Sequence, residues 1–213
     1  MNNVLSRVAL ISGAVQTGRA DYVAALVSQA LDGGIPAEEI LNNGLLEGMR
    51  RLGARFRKNE VYVPEVLVAA RALNRGLELL RPGLVRENVR LIGKVVLATV
   101  KGDMHDVGKN LVRMMLVGAG FEVIDLGVNV PAADIVEAVR RHRPQLLALS
   151  ALLTATMDQQ RIVIEALTDA GLRDAVKVLV GGAPITRAFC DLIGADGYAP
   201  DAASCAELAR TLV

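Results

Sequence analysis

The chain has 213 residues, of which 52% are hydrophobic and 22% are charged, and its formal net charge is +1. This composition is typical of a compact globular protein with one large or two small domains, and it excludes a disordered or fibrous chain. Because no block of Lys or Arg stands out, the sequence predicts no nucleic-acid and no membrane partner. The two cysteines lack metal-ligand spacing, and no signal peptide or membrane-spanning run is recognisable. We therefore expect a cytoplasmic protein that binds a small molecule or another protein.

Residues 1 to about 81 carry apolar side chains at helical spacing, without the alternation that is typical of strands. Helix breaks fall at residues 33–34 and 58–60. The Pro-Gly pair at 82–83 is expected to end the last helix. The first half of the chain therefore predicts a domain over residues 1–88 that is a four-helix bundle.

After a predicted linker at residues 84–90, short continuous apolar runs alternate with helical segments. Continuous apolar runs indicate strands that are buried on both faces of a parallel sheet. The predicted strands are residues 94–100, 121–127, 145–152, 176–182 and 195–199. We expect a flavodoxin-like or Rossmann-like α/β domain over residues 89–213, with five parallel strands in the order 2-1-3-4-5. Ligands of such sheets bind beyond the carboxyl ends of the strands, where the candidate site residues are therefore sought.

A polar loop follows the first predicted strand and leads into a helix that begins near Val107. The loop contains Asp103 and His105, two residues apart. On its own, a loop histidine beside an aspartate is ordinarily a solvated surface residue. The loop becomes a candidate site only together with the residues that follow the other strands.

Small and hydroxyl-bearing residues follow the third and fourth predicted strands. They are Ser150, Ala151, Leu152, Thr154 and Thr156 after the third strand, and Gly181, Gly182 and Ala183 after the fourth. A cleft lined by such residues is either a loosely packed seam or a slot for a flat group that lies between strands and helices.

The spacing of three elements decides between these alternatives. The 41 residues 109–149 separate D-x-H-x-x-G from S-x-L, and the 28 residues 153–180 separate S-x-L from G-G. This arrangement, with each element after a predicted strand, resembles the cobalamin-binding domain of methionine synthase and the corrinoid proteins of methyltransferase systems. The resemblance implies that the α/β domain binds cobalamin, a cobalt corrinoid. It also covers the helical half, which looks like the domain that precedes the cobalamin domain in this family.

The resemblance assigns the helical domain the role of a cap over the corrin ring. The segment that begins at Phe56 carries the family's pattern of a Phe, an acidic residue and an apolar-Pro pair. Phe56 and Val63 are therefore expected to cover the upper face of the ring, although the family often has Leu at the position of Val63. The alternative is that these two residues, seven apart, belong to an ordinary core.

The resemblance also implies a chemistry, in which cobalt cycles between Co(I) and methylated Co(III) and the protein holds and tunes it. His105 is expected to be the lower axial ligand of cobalt, with the dimethylbenzimidazole tail displaced into the slot beside the small residues. Asp103 would bond the other imidazole nitrogen, which raises the basicity of the ligand and fixes its tautomer. Thr156 would complete a hydrogen-bond relay from this pair to solvent. These three residues form the predicted catalytic set.

The other expected cofactor contacts flank the axial ligand or the nucleotide tail. They are Met104, Asp106, Val107, Gly108, Ser150, Leu152, Thr154, Gly181, Gly182, Ala183, Tyr198 and Asp201. Met104 and Val107 are expected to support the lower face of the corrin. Tyr198 and Asp201 follow the fifth strand and are candidate contacts of the tail, with a plain rim residue as the alternative for Tyr198.

The function that the resemblance favours is a methyl carrier, a subunit rather than a complete enzyme. Its expected partners are a substrate-specific methyltransferase, an acceptor methyltransferase that delivers the methyl group to a pterin or a thiol, and a reductive activase. The sequence does not name the methyl donor, whether methanol, a methylamine, a betaine or an aryl methyl ether, because specificity in such systems lies in the partner.

Three other functions compete with the methyl carrier. A cobalamin-dependent sensor or regulator would need a helix-turn-helix module, and residues 1–20 are too short to hold one. An isomerase subunit would use the cobalamin domain for radical chemistry, and the preceding helical cap argues against it. A flavodoxin-like domain without a corrinoid would require the three motif elements to be coincidental.

Overall fold

The computed structural model describes residues 2–213, with side chains from residue 7 onward, and residue 1, the first of the predicted helical domain, lies outside the described residues. The described chain forms two compact units. The first comprises residues up to 91 together with 118–120, and the second comprises residues 92–117 and 121–213. The domain limits 1–88 and 89–213 stay predictions.

The first unit is helical, as the spacing of its apolar residues predicts. Its elements are α1 (Asn2–Gln16), α2 (Ala20–Asp32), α3 (Ala37–Glu39), a π-helix (Ile40–Leu46), α4 (Glu47–Arg57) and α5 (Val63–Arg86). Because α3, the π-helix and α4 follow one another without a break, the described part of the unit has the four helical segments that the sequence predicts. Aliphatic side chains such as Leu45, Leu52 and Leu73 are almost fully buried in its core.

The end of α5 differs from the prediction. The helix continues through the Pro-Gly pair at 82–83 to Arg86, so the expected helix end is wrong and residues 84–86 of the expected linker are helical. Gly83 is buried, and a Cβ at this position would lie 2.9 Å from the Cβ of Ala37. The glycine therefore allows close packing against α3 and does not terminate the helix.

The second unit is an α/β domain. Its elements are β1 (Gly93–Thr99), α6 (Val107–Gly118), β2 (Phe121–Asp125), α7 (Ala132–His142), β3 (Leu146–Ser150), α8 (Thr154–Asp169), a 3-10 turn (Arg173–Ala175), β4 (Lys177–Gly181), α9 (Arg187–Leu192), β5 (Gly197–Tyr198) and α10 (Ala202–Thr211). All four strand pairs are parallel and the order is β2-β1-β3-β4-β5. The predicted fold class and strand order are confirmed.

The two faces of the sheet have different neighbours. Alternate strand residues such as Ala98, Leu149 and Val180 belong to one apolar cluster with residues of α7, α8 and α9. Because successive side chains of a strand point to opposite faces, Ser150 and Gly181 face the other side of the sheet. None of the helices in residues 2–213 is both long and apolar enough to cross a membrane.

An ion cluster connects the first residue of β4 with the segment that precedes β5. Asp196, with a side chain that is 16% exposed, pairs with Arg173 Nη2 at 2.8 Å and Lys177 Nζ at 3.1 Å. One of its carboxylate oxygens also accepts the backbone N–H of Val178 at 2.8 Å. Burial alone would raise the pKa of Asp196, but the hydrogen bonds from Val178, Lys177 and Arg173 outweigh it and lower this pKa.

Asp196→Asn should lower the free energy of unfolding by about 1–2 kcal/mol at pH 7, because two cations lose their carboxylate. The folded-state pKa lies below the unfolded value of about 3.9, so the contribution is complete above that value and is lost as the pH falls through the folded-state pKa. Urea unfolding between pH 3 and pH 7 should therefore show a shallower acid slope for the variant than for the wild type. An identical slope would exclude this carboxylate as a source of the pH dependence.

Candidate functional site

The loop between β1 and α6 places a buried carboxylate beyond the carboxyl end of the first strand. The side chain of Asp103 has no exposed surface. Its Oδ2 accepts hydrogen bonds from the backbone N–H of Leu152 at 2.7 Å and from Thr156 Oγ1 at 2.7 Å. Its Oδ1 accepts the backbone N–H of His105 at 3.1 Å and contacts the ring Nδ1 of the same residue at 2.7 Å. The carboxylate thus joins the β1–α6 loop to the segment after β3.

These contacts determine the charge of Asp103. Burial alone would raise its pKa, but the hydrogen bonds from Thr156, from the backbone of Leu152 and from His105 outweigh burial and hold this pKa well below its usual range. Asp103 is therefore ionised at neutral pH and acts only as a hydrogen-bond acceptor.

His105 is held at its ring and at its backbone. An ionised carboxylate can only accept, so in a neutral imidazole the 2.7 Å contact places the proton on Nδ1 and leaves the lone pair on Nε2. The backbone carbonyl of His105 accepts a hydrogen bond from Thr99 Oγ1 at 2.9 Å, and Thr99 is fully buried. The side chain of His105 is 49% exposed. A fixed tautomer with an accessible Nε2 is the arrangement of an imidazole that ligates a metal.

Thr156 is part of this network, as the sequence predicts, but its surroundings differ from the expectation. Its hydroxyl lies 2.7 Å from Asp103 Oδ2 and 3.0 Å from the carbonyl oxygen of Leu153. A hydroxyl has one proton, so it donates to one of these acceptors at a time. Thr156 is only 7% exposed, so its side chain has little contact with solvent, and the relay to solvent stays a prediction.

Apolar side chains surround the exposed imidazole. Met104 is 68% exposed and Val107 is 72% exposed, on either side of His105 in the chain. Leu152 and Leu153, which follow β3 and bond to Asp103 through their backbone, are each more than 40% exposed. Exposed apolar side chains around a single ligating nitrogen suit a broad apolar ligand better than a hydrated ion.

The glycines of the motif divide into two kinds. Gly182 has a φ of +130°, and a Cβ there would lie 1.8 Å from the carbonyl oxygen of Ala151, so the fold itself requires this glycine. Gly181, which pairs with Ser150 in the sheet, has only Ala199 O at 3.4 Å from such a Cβ. A Cβ at Gly108 would meet nothing within 4 Å. Packing against the described residues therefore gives no reason for a glycine, rather than a larger residue, at position 108.

The remaining predicted contacts lie at the same end of the sheet. Two of them, Asp106 and Asp201, make hydrogen bonds within the protein. Asp106 precedes α6 and accepts a hydrogen bond from Asn110 Nδ2 at 3.1 Å. Thr154 is the exposed first residue of α8, and Ala183 is exposed after β4. Asp201 caps α10, and its carboxylate accepts from Ser204 N at 2.9 Å and from Ser204 Oγ at 2.7 Å.

The structure separates Tyr198 from the predicted slot. Its side chain packs against the cluster formed with α7, α8 and α9. Ser150 and Gly181 face the opposite side of the sheet. The contact of Tyr198 with the tail stays a prediction, and the direction of its side chain does not favour it.

The two predicted cap residues are in the helical unit. Phe56 lies in the last turn of α4 and Val63 is the first residue of α5. Both are partly exposed, so neither is a fully buried core residue. Tyr62, between them in the chain, is 65% exposed.

Asn129 is not among the predicted site residues, yet it supports the β1–α6 loop from the segment after β2. Its Oδ1 accepts the backbone N–H of Gly102 at 2.7 Å, and its own N–H donates to the carbonyl of Asp103 at 2.9 Å. Asn129 has a φ of +54°, a conformation that Asn adopts more readily than most residues. The Gly-Val-Asn-Val-Pro segment after the second predicted strand was the available signal for such a turn.

A buried ion pair at the start of α6 was also missed. Lys109 is 3% exposed, and its Nζ bonds to Asp125 Oδ2 at the end of β2. The other oxygen of Asp125 accepts the backbone N–H of Gly127 at 2.9 Å. The pair holds the first turn of α6, and with it the end of the His105 loop, against the end of β2.

Comparison with known proteins agrees with the class that this fold and site define, a B12-binding protein. The family of B12 binding domains matches residues 93–206, and a second family of B12 binding domains matches residues 9–81. Dimethylamine corrinoid protein 3 of Methanosarcina acetivorans is 43% identical over 179 residues, which are 84% of this chain and 84% of that protein. The chain belongs to the cobalamin-binding corrinoid proteins of methyltransferase systems.

Two solved structures resemble the whole chain. A cobalamin-binding protein from Desulfitobacterium hafniense DCB-2 is 32% identical, with a TM-score of 0.80 over 97% of this chain and 98% of that one. A chain of the methanol:cobalamin methyltransferase complex MtaBC from Methanosarcina barkeri is 27% identical, with a TM-score of 0.85 over 97% of this chain and 79% of that one. The similarity therefore includes the helical unit as well as the sheet.

Proposed function

We propose that this protein carries a methyl group on cobalamin between a substrate-specific methyltransferase and an acceptor methyltransferase. The observation that carries the proposal is the imidazole of His105, whose Nδ1 is fixed by the ionised and buried Asp103 while Nε2 stays accessible. When bound, cobalamin supplies a cobalt centre that accepts and yields a methyl group. The chain would supply a nitrogen ligand in His105, with its tautomer set by Asp103, and the apolar surface around it.

The described residues fit a corrinoid in three respects. Nε2 of His105 is an available ligand atom, and the exposed side chains of Met104 and Val107 beside it suit an apolar ring. Among the described residues, no side chain lies within 4 Å of where a Cβ of Gly108 would be, so this side of the glycine is open. We assign Met104, Val107, Gly108 and Leu152 to the lower side of the corrin.

The proton on Nδ1 is the one that this chain controls. Asp103 accepts it, and four hydrogen-bond donors besides the ring keep the carboxylate ionised. A carboxylate held in this way favours the electron-rich, ligating form of the imidazole. Thr156 donates to Asp103 and so tunes how strongly the carboxylate holds the proton of His105.

The slot for the displaced nucleotide tail is assigned to the sheet face that Ser150 and Gly181 share. Neither position carries a bulky side chain, and at Gly181 only a 3.4 Å approach to Ala199 O would limit a Cβ. Gly182 shapes the turn after β4, and Ala183 follows it. Asp201, at the start of α10, stays a predicted tail contact, although its oxygens already accept from Ser204.

That the helical unit covers the upper face of the ring stays a prediction of the family resemblance. Phe56 and Val63 are its proposed contacts, because the motif resemblance selects them. Both side chains are partly exposed, so neither is fully buried in the core. Exclusion of water from a reactive metal centre is the task that such apolar side chains perform.

The similar proteins indicate what kind of partner this chain has. A dimethylamine corrinoid protein and a chain of a methanol:cobalamin methyltransferase complex both resemble this chain, so similar carriers serve different methyl donors. We therefore assign the choice of donor to the partner methyltransferase. An acceptor methyltransferase that uses a pterin or a thiol, a reductive activase and a cytoplasmic location stay predictions. The sensor alternative is not favoured, because the chain aligns over most of its length with corrinoid proteins of methyl transfer.

Methyl transfer from the loaded protein tests the proposal. Protein loaded with methylcobalamin should lose its methyl group to a thiol faster than free methylcobalamin at the same concentration, when an acceptor methyltransferase is present. The loss is followed by the visible spectrum of the corrinoid. Tight binding of cobalamin without any faster transfer would favour a sensor and contradict the carrier function.

A further inference from the structure

Helix α8 carries two buried polar side chains one turn apart. Thr156 is 7% exposed and Gln160 is 0% exposed. Residues at positions i and i+4 share one face of a helix, so both side chains leave α8 in the same direction. Thr156 reaches the carboxylate of Asp103 at 2.7 Å. Gln160 reaches the sheet.

Gln160 connects the ends of β3 and β4. Its Nε2 donates to the carbonyl oxygen of Leu149 at 3.1 Å and to that of Gly181 at 3.1 Å. A carboxamide nitrogen has two protons, so both bonds form at once. Leu149 precedes Ser150 on β3, and Ser150 is the sheet partner of Gly181 on β4. A single side chain thus spans the strand pair on which the proposed tail slot lies.

A contribution to fold stability does not readily explain why a glutamine occupies position 160. The Oε1 atom of Gln160 is buried and has no hydrogen-bond partner among the described residues. A buried acceptor without a partner costs about 1–3 kcal/mol. The carbonyl of Gly181 already accepts the backbone N–H of Ala151 at 3.1 Å, so at least one of the two carbonyls has a second bond. An apolar side chain of similar length would fill the site without the unmatched acceptor.

The tail slot and Gln160 lie on opposite faces of the sheet. Ser150 and Gly181 face away from the cluster that contains residues of α8. Gln160 therefore does not line the slot, but its two bonds fix the separation of the backbones that do. A change in that separation would reach α8 at Gln160 and, one helical turn away, Asp103 through Thr156. Asp103 in turn holds the imidazole of His105.

We propose that Gln160 is a positioning residue that couples occupation of the tail slot to the orientation of His105. The inference rests on the proposed binding of cobalamin with its tail displaced. Its consequence is that ligation by His105 strengthens when a nucleotide tail is present and that Gln160 is needed for this effect. Coupling between two sites of a protein is commonly 5-fold to 150-fold in affinity.

The test compares two corrinoids, cobalamin and cobinamide, which lacks the nucleotide tail. The Co(II) form of each is bound to the full chain with ¹⁵N-labelled histidines, and the fraction with an axial imidazole is measured from the ¹⁵N doublet in the electron-paramagnetic spectrum. The unlabelled benzimidazole of cobalamin would give a triplet instead and is not counted. In the wild type the equilibrium constant for His105 ligation should be about tenfold larger with cobalamin than with cobinamide. In Gln160→Met the ratio should fall close to one while both corrinoids still bind.

Two further variants complete the design. Gln159→Met makes the same chemical change at the neighbouring, half-buried residue of α8 and should keep the wild-type ratio. Gln160→Asn keeps the amide but is one methylene too short to reach both strands, so it should behave like Gln160→Met, and it serves if the methionine variant does not fold. A wild-type ratio in either Gln160 variant, or a ratio of one in the wild type, would overturn the coupling. Failure of the wild type to bind cobalamin at all would instead overturn the proposed function.

Discussion

Asp103→Asn should destabilise the protein without cobalamin by about 2–4 kcal/mol, because a buried carboxylate surrounded by donors is replaced by a group that must present a donor to some of them. If the new amide keeps its oxygen toward Leu152 and Thr156, its nitrogen faces the ring of His105. The ring Nδ1 must then accept a hydrogen bond from this amide, so the imidazole hydrogen moves to Nε2 and the lone pair that ligates is removed. Ligation of cobalt should therefore weaken together with stability.

The matched control for this change is Asp106→Asn in the same loop. Asp106 is exposed, and its carboxylate accepts from Asn110 rather than from His105. Urea unfolding of both variants and reductive titration of the cobalamin-bound forms separate the two effects. Asp103→Asn should also raise the Co(II)/Co(I) midpoint potential, since a weaker axial bond makes reduction easier. An unchanged potential with His105 still ligated would leave Asp103 as a residue that only shapes the loop.

Gly108→Leu should separate binding from folding. A Cβ at this position meets no atom within 4 Å, and Gly108 lies in the first turn of α6 without a positive φ. Glycine in a helix costs roughly 0.5–1 kcal/mol relative to alanine, so the variant without cofactor should be at least as stable as the wild type. If the open space belongs to the corrin, cobalamin affinity should fall by about 100-fold, which corresponds to about 2.8 kcal/mol.

Gly13→Leu is the control for that substitution. Gly13 is an exposed glycine of α1 whose Cβ would also meet nothing within 4 Å. This variant should show a similar gain in stability with wild-type cobalamin affinity. Thermal unfolding gives the stability and equilibrium titration with cobalamin gives the affinity. Wild-type affinity in Gly108→Leu would mean that the open space at the start of α6 is plain solvent.

The sheet could be predicted from the sequence because its central strands are buried on both faces. Such strands must be continuous apolar runs, and β3 shows this most clearly, with Leu146 to Leu149 all buried. The strand order then follows from the usual topology of such domains. The end of α5 could not be predicted in the same way, since Gly83 is set by a contact with Ala37, which lies 46 residues earlier in the chain.

The candidate site was predictable where it depends on local sequence. Asp103 and His105 are two residues apart, so their contact follows from one loop. Asn129 and the pair of Lys109 with Asp125 depend on contacts between separate elements, which a short sequence pattern does not specify. The Gly-Val-Asn-Val-Pro segment indicates a turn at Asn129 but not its bonds to the β1–α6 loop. Gln160 is intermediate, because its place four residues after Thr156 puts both on one helical face. Only the structure shows that this face meets the ends of β3 and β4.

The most direct measurement is the electron-paramagnetic spectrum of the Co(II) form bound to protein in which only the histidines carry ¹⁵N. The cobalamin itself stays unlabelled. The chain has two histidines, so His142→Ala serves as the control for the second one. Ligation by His105 predicts that labelling converts each axial-nitrogen triplet into a doublet, that His142→Ala keeps the doublet, and that His105→Ala loses it. A triplet that survives labelling would show the cofactor's own benzimidazole on cobalt and would contradict His105 as the axial ligand.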